Sequence, residues 1–274
     1  MTARVLAVAR SEMTILRRNR WLFLATLIMV LFALALTFAG SAPTGSLGAD
    51  RLLVSVASMT TLSVYLAPLL ALMMSFDAIA GDSERGTLAL LLSYPAGRGE
   101  ILLGKYLAQL AALSFALAVG FGIAGAAAGL TGGTSPESLA ALLRLIGTSI
   151  LLGGVFLAFG HFLSALAGSP AAAAGAAASL WLVFVVLYDL GLLGAVVLDS
   201  GGVFTTTFFP WVMVANPADA FRLWNVAASD GVALTTGMTG VAGSLPTWAA
   251  PLSIVLWLGI TFGLAWAAFR RLEP

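Results

Sequence analysis

The chain has 274 residues, of which 60% are hydrophobic and only 9% charged, with a mean hydropathy of +1.03. Soluble domains carry about 25% charged residues, so this composition excludes a water-soluble globule and leaves a polytopic α-helical membrane protein. The absence of cysteine excludes disulfides and thiolate metal sites, and the net charge of +1 says less than the way the charges are distributed.

The first twenty residues form an element of their own. Val5, Ala9, Met13 and Leu16 fall on one helical face, and Arg4, Arg10, Ser11, Glu12, Arg17 and Arg18 take the rest. This pattern predicts an amphipathic helix over residues 1–20, lying in the headgroup layer and feeding the first span. Six apolar runs of membrane length follow across residues 21–274: Trp21–Ala39, Leu52–Met74, Ile101–Leu130, Leu139–Ala167, Pro170–Leu198 and Thr247–Phe269. Backbone groups in lipid must be paired internally, so these runs are helices. The first is preceded by too long a segment, and is itself too long, to be a cleaved signal peptide. With the N-terminus inside, ten basic residues (Arg4, Arg10, Arg17, Arg18, Arg20, Arg85, Arg98, Lys105, Arg270 and Arg271) face the cytoplasm. Three (Arg51, Arg144 and Arg222) face outward. The positive-inside rule therefore predicts both termini inside.

Residues 75–104, between the second and third runs, hold Asp77, Asp82, Glu84, Arg85, Arg98 and Glu100. Charge in hydrocarbon costs roughly 2.5–3.5 kcal/mol per residue, so this segment leaves the bilayer. Gly81–Asp82–Ser83 breaks the preceding helix, Thr87 can cap a short helix through Leu88, Leu90, Leu91 and Leu92, and Pro95 stops it. Such a helix suits either a groove on a cytoplasmic partner or a fold-back onto its own bundle.

The same segment resembles the cytoplasmic loop of ABC-2-type permeases, the six-helix membrane subunits of ABC transporters. The resemblance rests on Glu84-Arg85-Gly86-Thr87-Leu88, then Leu91-Leu92-Ser93 with Pro95, then Arg98 and Ile101-Leu102-Leu103-Gly104-Lys105. Asp82–Ser83 departs mildly from the usual pattern. The resemblance implies a homodimer over two cytoplasmic ATPase subunits. It also implies a coupling helix whose contact residues are Asp82, Glu84, Arg85, Thr87, Leu88, Leu91, Leu92 and Arg98. ATP and magnesium then belong to the ATPase, and this chain has no cofactor and no catalytic residue of its own.

The outer loop, 199–246, is too long for a bare connector and carries Phe204, Phe208, Phe209, Trp211 and Trp224. It is expected to form interfacial helices that cap the dimer from outside, with Asn216–Pro217 as a helix start. The run Asn216 to Leu223, behind Phe208-Phe209-Pro210-Trp211, is similar to the outer segment of the ABC-2 permeases that serve maturation of the copper enzyme nitrous oxide reductase (NosY-type). That similarity implies a NosF-type ATPase, a NosD-type periplasmic β-helix protein, and copper or sulfur delivery. Phe208, Trp211, Asp219, Arg222 and Trp224 are the residues expected to meet the periplasmic partner. Membrane lipids complete the list of partners, and no nucleic acid is expected.

Other features count against tempting readings. Gly99 to Lys105 matches the phosphate-loop spacing, but Tyr106 replaces the magnesium-binding Ser/Thr and no strand precedes it. His161 is the single histidine, and eight scattered methionines offer no copper path. Gly125 and Gly129, Gly259 and Gly263, and the Ala171–Ala178 run around Gly175 are packing surfaces. Arg144 lies ~8 Å and Asp189 ~27 Å along consecutive antiparallel spans, depths that bring them level near the outer interface and predict an ion pair. The chain therefore reads as the permease of an ATP-driven transporter, for a lipid, drug or metal-related cargo, or as a mechanical transmitter without cargo. A secondary transporter would need midplane carboxylates, which the six runs do not supply.

Overall fold

The computed structural model describes residues 2–18, 20–39, 51–94, 96–227 and 245–272. Among these the secondary structure is helical throughout, and six helices are long and apolar enough to cross a membrane. They are span one (Arg20–Ala39), span two (Arg51–Ser75), span three (Arg98–Gly132), span four (Pro136–Leu166), span five (Pro170–Asp199) and span six (Ala249–Arg271). They match the expected apolar runs, except that span four ends one residue before Ala167 and span six starts two residues after Thr247. Their ends are set by local chemistry: Ser135 and Ser169 cap spans four and five, each followed by a proline in the first turn.

Spans two and four form the centre. Their contact is the most extensive in the bundle, and Ser63 Oγ donates to Ser149 Oγ at 2.8 Å inside it. Span four is also the partner of span six, and span three packs on span one. Small residues set the closeness of these contacts, because helices in lipid associate through packing and not through exclusion of water. A Cβ on Gly120 would sit 2.7 Å from Met29 Cβ, and one on Gly125 would sit 2.5 Å from Leu142 Cδ2. Gly175, Gly259 and Gly263 meet nothing within 4 Å, so these small-residue surfaces lie open on the single chain. Span five is the least enclosed of the six, with 11% of its most apolar stretch buried against 67% for span four.

The N-terminal helix, Thr2–Arg18, is amphipathic as the sequence predicts, but its apolar stripe meets protein. It lies along the first turns of span three, with Val5 buried. The contact depends on Gly104, where a Cβ would fall 2.7 Å from Val8 Cβ and 3.1 Å from the Val5 carbonyl oxygen. Gly104→Val is therefore expected to lift the N-terminal helix from span three and speed tryptic cleavage after Arg10 and Arg17 in detergent. Overpacking of this kind typically costs about 1–3 kcal/mol. Unchanged cleavage would show that the helix is held by something else.

Candidate functional site

The segment between spans two and three folds into two short helices, Ala80–Glu84 and Thr87–Ser93 (the coupling helix), at the end of the bundle that carries the N-terminal helix. Gly86 joins them with φ of +71°, a left-handed conformation that a side chain disfavours. Gly86, and not Thr87, is the N-cap of the coupling helix. Thr87 instead donates its hydroxyl back to Asp82, at 3.0 Å from the carboxylate and 3.1 Å from the carbonyl. The coupling helix closes at Ser93, and Pro95 lies outside the described residues.

Three sets of contacts hold this segment on the bundle. The first is a cap borrowed from span four: Ser164 Oγ accepts from the Ile79 and Ala80 backbone N–H groups, both at 2.9 Å. The second is a small apolar core in which Ile79 and Leu88 pack with Ile101, Leu102, Ala165, Ala265 and Phe269, and Leu92 seals the edge. The third is ionic. Lys105, 3% exposed, has its ammonium 2.5 Å from Glu12 Oε1 and 2.6 Å from Asp82 Oδ2. One buried cation thus joins the N-terminal helix, the coupling segment and span three. Arg85 adds a second cation, 3.3 Å from both Asp77 and Asp82. Partial burial opposes its charge, yet the two carboxylates outweigh that effect and raise its pKa above the ordinary arginine value. Arg98 reaches the C-terminus of span six and donates to the Arg270 and Phe269 carbonyls at 2.5 and 3.4 Å.

The Thr87–Ser93 helix is thus folded back on the bundle along one side and open along the other. Leu88 is buried and Leu91 and Leu92 are half-buried, while Leu90 and Tyr94 are 61% and 60% exposed. Glu84, Arg85 and Thr87 are exposed, Asp82 and Arg98 half-buried. Leu90 and Tyr94 are absent from the expected contact residues, although Tyr94 follows the helix as its C-cap one turn beyond Leu90. Gly99 to Lys105 lies within a continuous helix, and Lys105 is occupied by carboxylates, so the phosphate-loop spacing is coincidental.

The opposite end holds a second polar assembly. The loop after span five dives back as a hairpin of two helices, Phe204–Ala215 and Pro217–Ala227. This corrects the expectation of interfacial helices capping the outside: the second helix inserts among spans two, four and six. Ala218, Ala220, Phe221, Leu223 and Val226 are buried there. The hairpin tip reaches halfway along the 30-residue span five, where Asn216 Nδ2 donates at 2.7 Å to the carbonyl of Phe184. Backbone carbonyls at such a depth need partners, and side chains supply them. Tyr188 Oη, Ser253 Oγ and Trp257 Nε1 donate to the carbonyls of Val212, Val214 and Ala215 at 2.5, 2.6 and 2.7 Å. The Phe184 carbonyl lies in a π-helical stretch, Leu182–Leu187, whose altered register can free such groups. Residues 228–244 of the outer loop lie outside the described residues.

The hairpin also corrects the expected ion pair. Asp189 receives Arg222 at 3.1 Å, and Arg222 binds Asp219 at 2.9 Å, so Arg144 is not its partner. Spans four and five touch mainly along Pro170–Trp181, and the Pro217–Ala227 helix packs on span four and on the Leu182–Leu187 stretch of span five. Asp219, 1% exposed, is buried inside the bundle, and Arg222 is committed to two carboxylates. Neither is presented outward to a partner as expected, whereas Phe208 and Trp211 are exposed and Trp224 half-buried. His161 is a packing residue, its Nδ1 at 2.8 Å from the Leu157 carbonyl and its ring at 6.1 Å from that of Tyr106. Among the described residues, no group of three or more His, Cys, Asp or Glu is placed to hold a metal ion.

Comparison with known proteins agrees with this architecture. A family model described as "ABC-2 family transporter protein" matches residues 6–273. A protein of Pseudomonas aeruginosa named "Probable ABC transporter permease protein NosY" is 40% identical over 274 residues, covering 97% of this chain and 98% of that protein. Its namesake in Stutzerimonas stutzeri is 40% identical over 268 residues, covering 96% and 97%.

Two predictions follow from the ionic assemblies. Breaking a buried pair from one side typically costs about 3–5 kcal/mol. Lys105→Met is accordingly expected to lower detergent stability markedly and to free the N-terminal helix, while Glu12→Gln with Lys105→Met costs less than the sum. A double-mutant cycle on Arg222→Met and Asp189→Leu should give a coupling of about 0.5–3 kcal/mol, and the same cycle on Arg144 and Asp189 close to zero. A reversed outcome would restore Arg144 as the partner of Asp189.

Proposed function

The chain belongs to the ABC-2 transporter family and is a multi-pass permease of the bacterial inner membrane. On that premise we propose that it works as a homodimer which converts ATP hydrolysis by a cytoplasmic NosF-type ATPase into work across the membrane. ATP and magnesium are bound by that ATPase. The observation carrying this reading is the coupling helix, with an apolar edge of Leu90 and Tyr94 left open beside Glu84 and Arg85 while the rest is fastened to the bundle. A push on Leu90 and Tyr94 is delivered directly to spans three, four and six and to the N-terminal helix.

The relatives' names support a place in nitrous oxide reductase maturation, in which a NosD-type protein seated outside would receive the movement or the copper or sulfur cargo. Mechanical transmission draws support from the polar groups of the hairpin, whose Asn216, Asp219, Arg222 and Asn225 side chains are bound to one another or to the spans. Export of cargo between the two copies is the alternative reading. Phe208 and Trp211, exposed on the first hairpin helix, are the residues offered to the outer partner.

Orientation and coupling can be tested separately. Because the chain has no cysteine, single cysteines at Gly133 and Gly97 report topology: Gly133→Cys should label from outside intact cells and Gly97→Cys should not. Labelling of position 97 would overturn the orientation. Leu90→Asp should abolish co-purification of the ATPase by placing a charge in the docking edge. Glu84→Ala with Arg85→Ala should weaken co-purification or uncouple ATP turnover. Normal coupling in both variants would make the segment purely structural.

A further inference from the structure

An apolar groove of about 410 Å³ opens between spans four and six at the basic end of the bundle. Phe162, Ala165 and Leu166 form one wall, Leu264 and Ala268 the other, and Arg271 stands at the mouth. We propose that this groove binds an anionic phospholipid, its acyl chain along span six and its phosphate on Arg271.

Depth and charge carry the inference. The groove runs from Arg271 back to Leu264, seven residues or ~10 Å of helix, which places its apolar part within hydrocarbon and its arginine at the headgroups. Arg270 lies over the Trp266 ring at 4.6 Å, an interfacial pairing that marks the same level. Arg98 joins them from span three, donating to the Arg270 carbonyl at 2.5 Å. Among the described residues no carboxylate forms an ion pair with Arg98, Arg270 or Arg271; Glu100, the nearest acid in sequence to Arg98, is 3.7 Å from Arg4. Three cations with no carboxylate ion-paired to them among the described residues, beside an apolar slot, complement a phosphodiester with a hydrocarbon tail. A soluble partner would meet the arginines but would not enter the slot between Leu166 and Leu264.

The position gives the lipid a consequence. Phe162 and Ala165 in the groove wall also pack against the apolar core that holds Leu88 and Leu92 of the coupling helix. An acyl chain in the slot supports that core from its lipid side and tightens the seat of the coupling helix. The inference rests on the orientation proposed above only for the choice of leaflet.

The test uses the full-length protein in mild detergent, given equal amounts of phosphatidylglycerol and phosphatidylcholine, with retained lipid counted by native mass spectrometry. Preferential retention of phosphatidylglycerol is expected. Arg271→Gln should cut that preference about fivefold, the size expected of one basic side chain at an anionic surface. Arg271→Lys should keep most of it, and Ala268→Phe, which fills the slot, should remove bound lipid while the protein stays monodisperse. Arg51→Gln, at the far end, should change nothing. Equal retention by wild type and Arg271→Gln would overturn the proposal. So would displacement of the lipid by inorganic phosphate alone, which would mean a simple anion site. Loss of ATPase binding in Arg271→Gln with lipid preference intact would make the groove a protein contact and reject the lipid.

Discussion

A lysine ammonium seven residues into a membrane span is costly unless it is paired. Lys105 is paired twice, by carboxylates from two different elements, Glu12 of the N-terminal helix and Asp82 of the coupling segment. Neither element has a large apolar core of its own: the coupling helix buries essentially Leu88, and the N-terminal helix buries Val5. Their positions therefore depend on this cation and on the close approach that Gly104 permits one residue before it. Removing the charge leaves Glu12 Oε1 and Asp82 Oδ2 without the cation they share. Keeping it makes the N-terminal helix, the coupling segment and span three one mechanical unit.

The far end repeats the same physics for another purpose. Arg222 lies between Asp189 of span five and Asp219 of its own helix, and fixes the hairpin whose tip reaches halfway along span five. Span five, otherwise the least enclosed of the six spans, is tied to the bundle through the hairpin and through Trp181, which donates to the Tyr65 carbonyl near Pro68 of span two. The segment that carries Leu90 and Tyr94 packs on spans three, four and six. The hairpin, on which Phe208 and Trp211 are exposed, links spans four and six to span five.

Much of this was legible in the sequence because bilayer thickness leaves little freedom: apolar length gives the six spans, and the leucine run gives the short helix, although its cap is Gly86 and not the expected Thr87. The Asp189 partner was misread because depth along two helices carries no information about a third element entering between them. Arg222 and Asp219, three residues apart in an outer loop, look like surface residues until the hairpin buries them. Asp219 is likewise a buried carboxylate that none of the six spans supplies, because it arrives on the loop. Two signals were present but unread. Glu12 is the one acid on the N-terminal helix and sits seven residues after Val5, on the buried side. Lys105 interrupts an otherwise apolar stretch and so requires a partner. Leu90 had no such signal, because the burial of one leucine over its neighbour is set by tertiary contact alone.

The central claim is that the Lys105 knot makes the coupling helix and the N-terminal helix move together. Spin labels at Ser11→Cys and Ala89→Cys, both exposed positions in a chain without native cysteine, measure it by pulsed electron paramagnetic resonance in the assembled transporter. A single narrow distance that is the same before and after trapping of the ATP-bound state, and that broadens in Lys105→Met, is the predicted result. A distance that shifts between the two states in the unmodified knot would contradict the account.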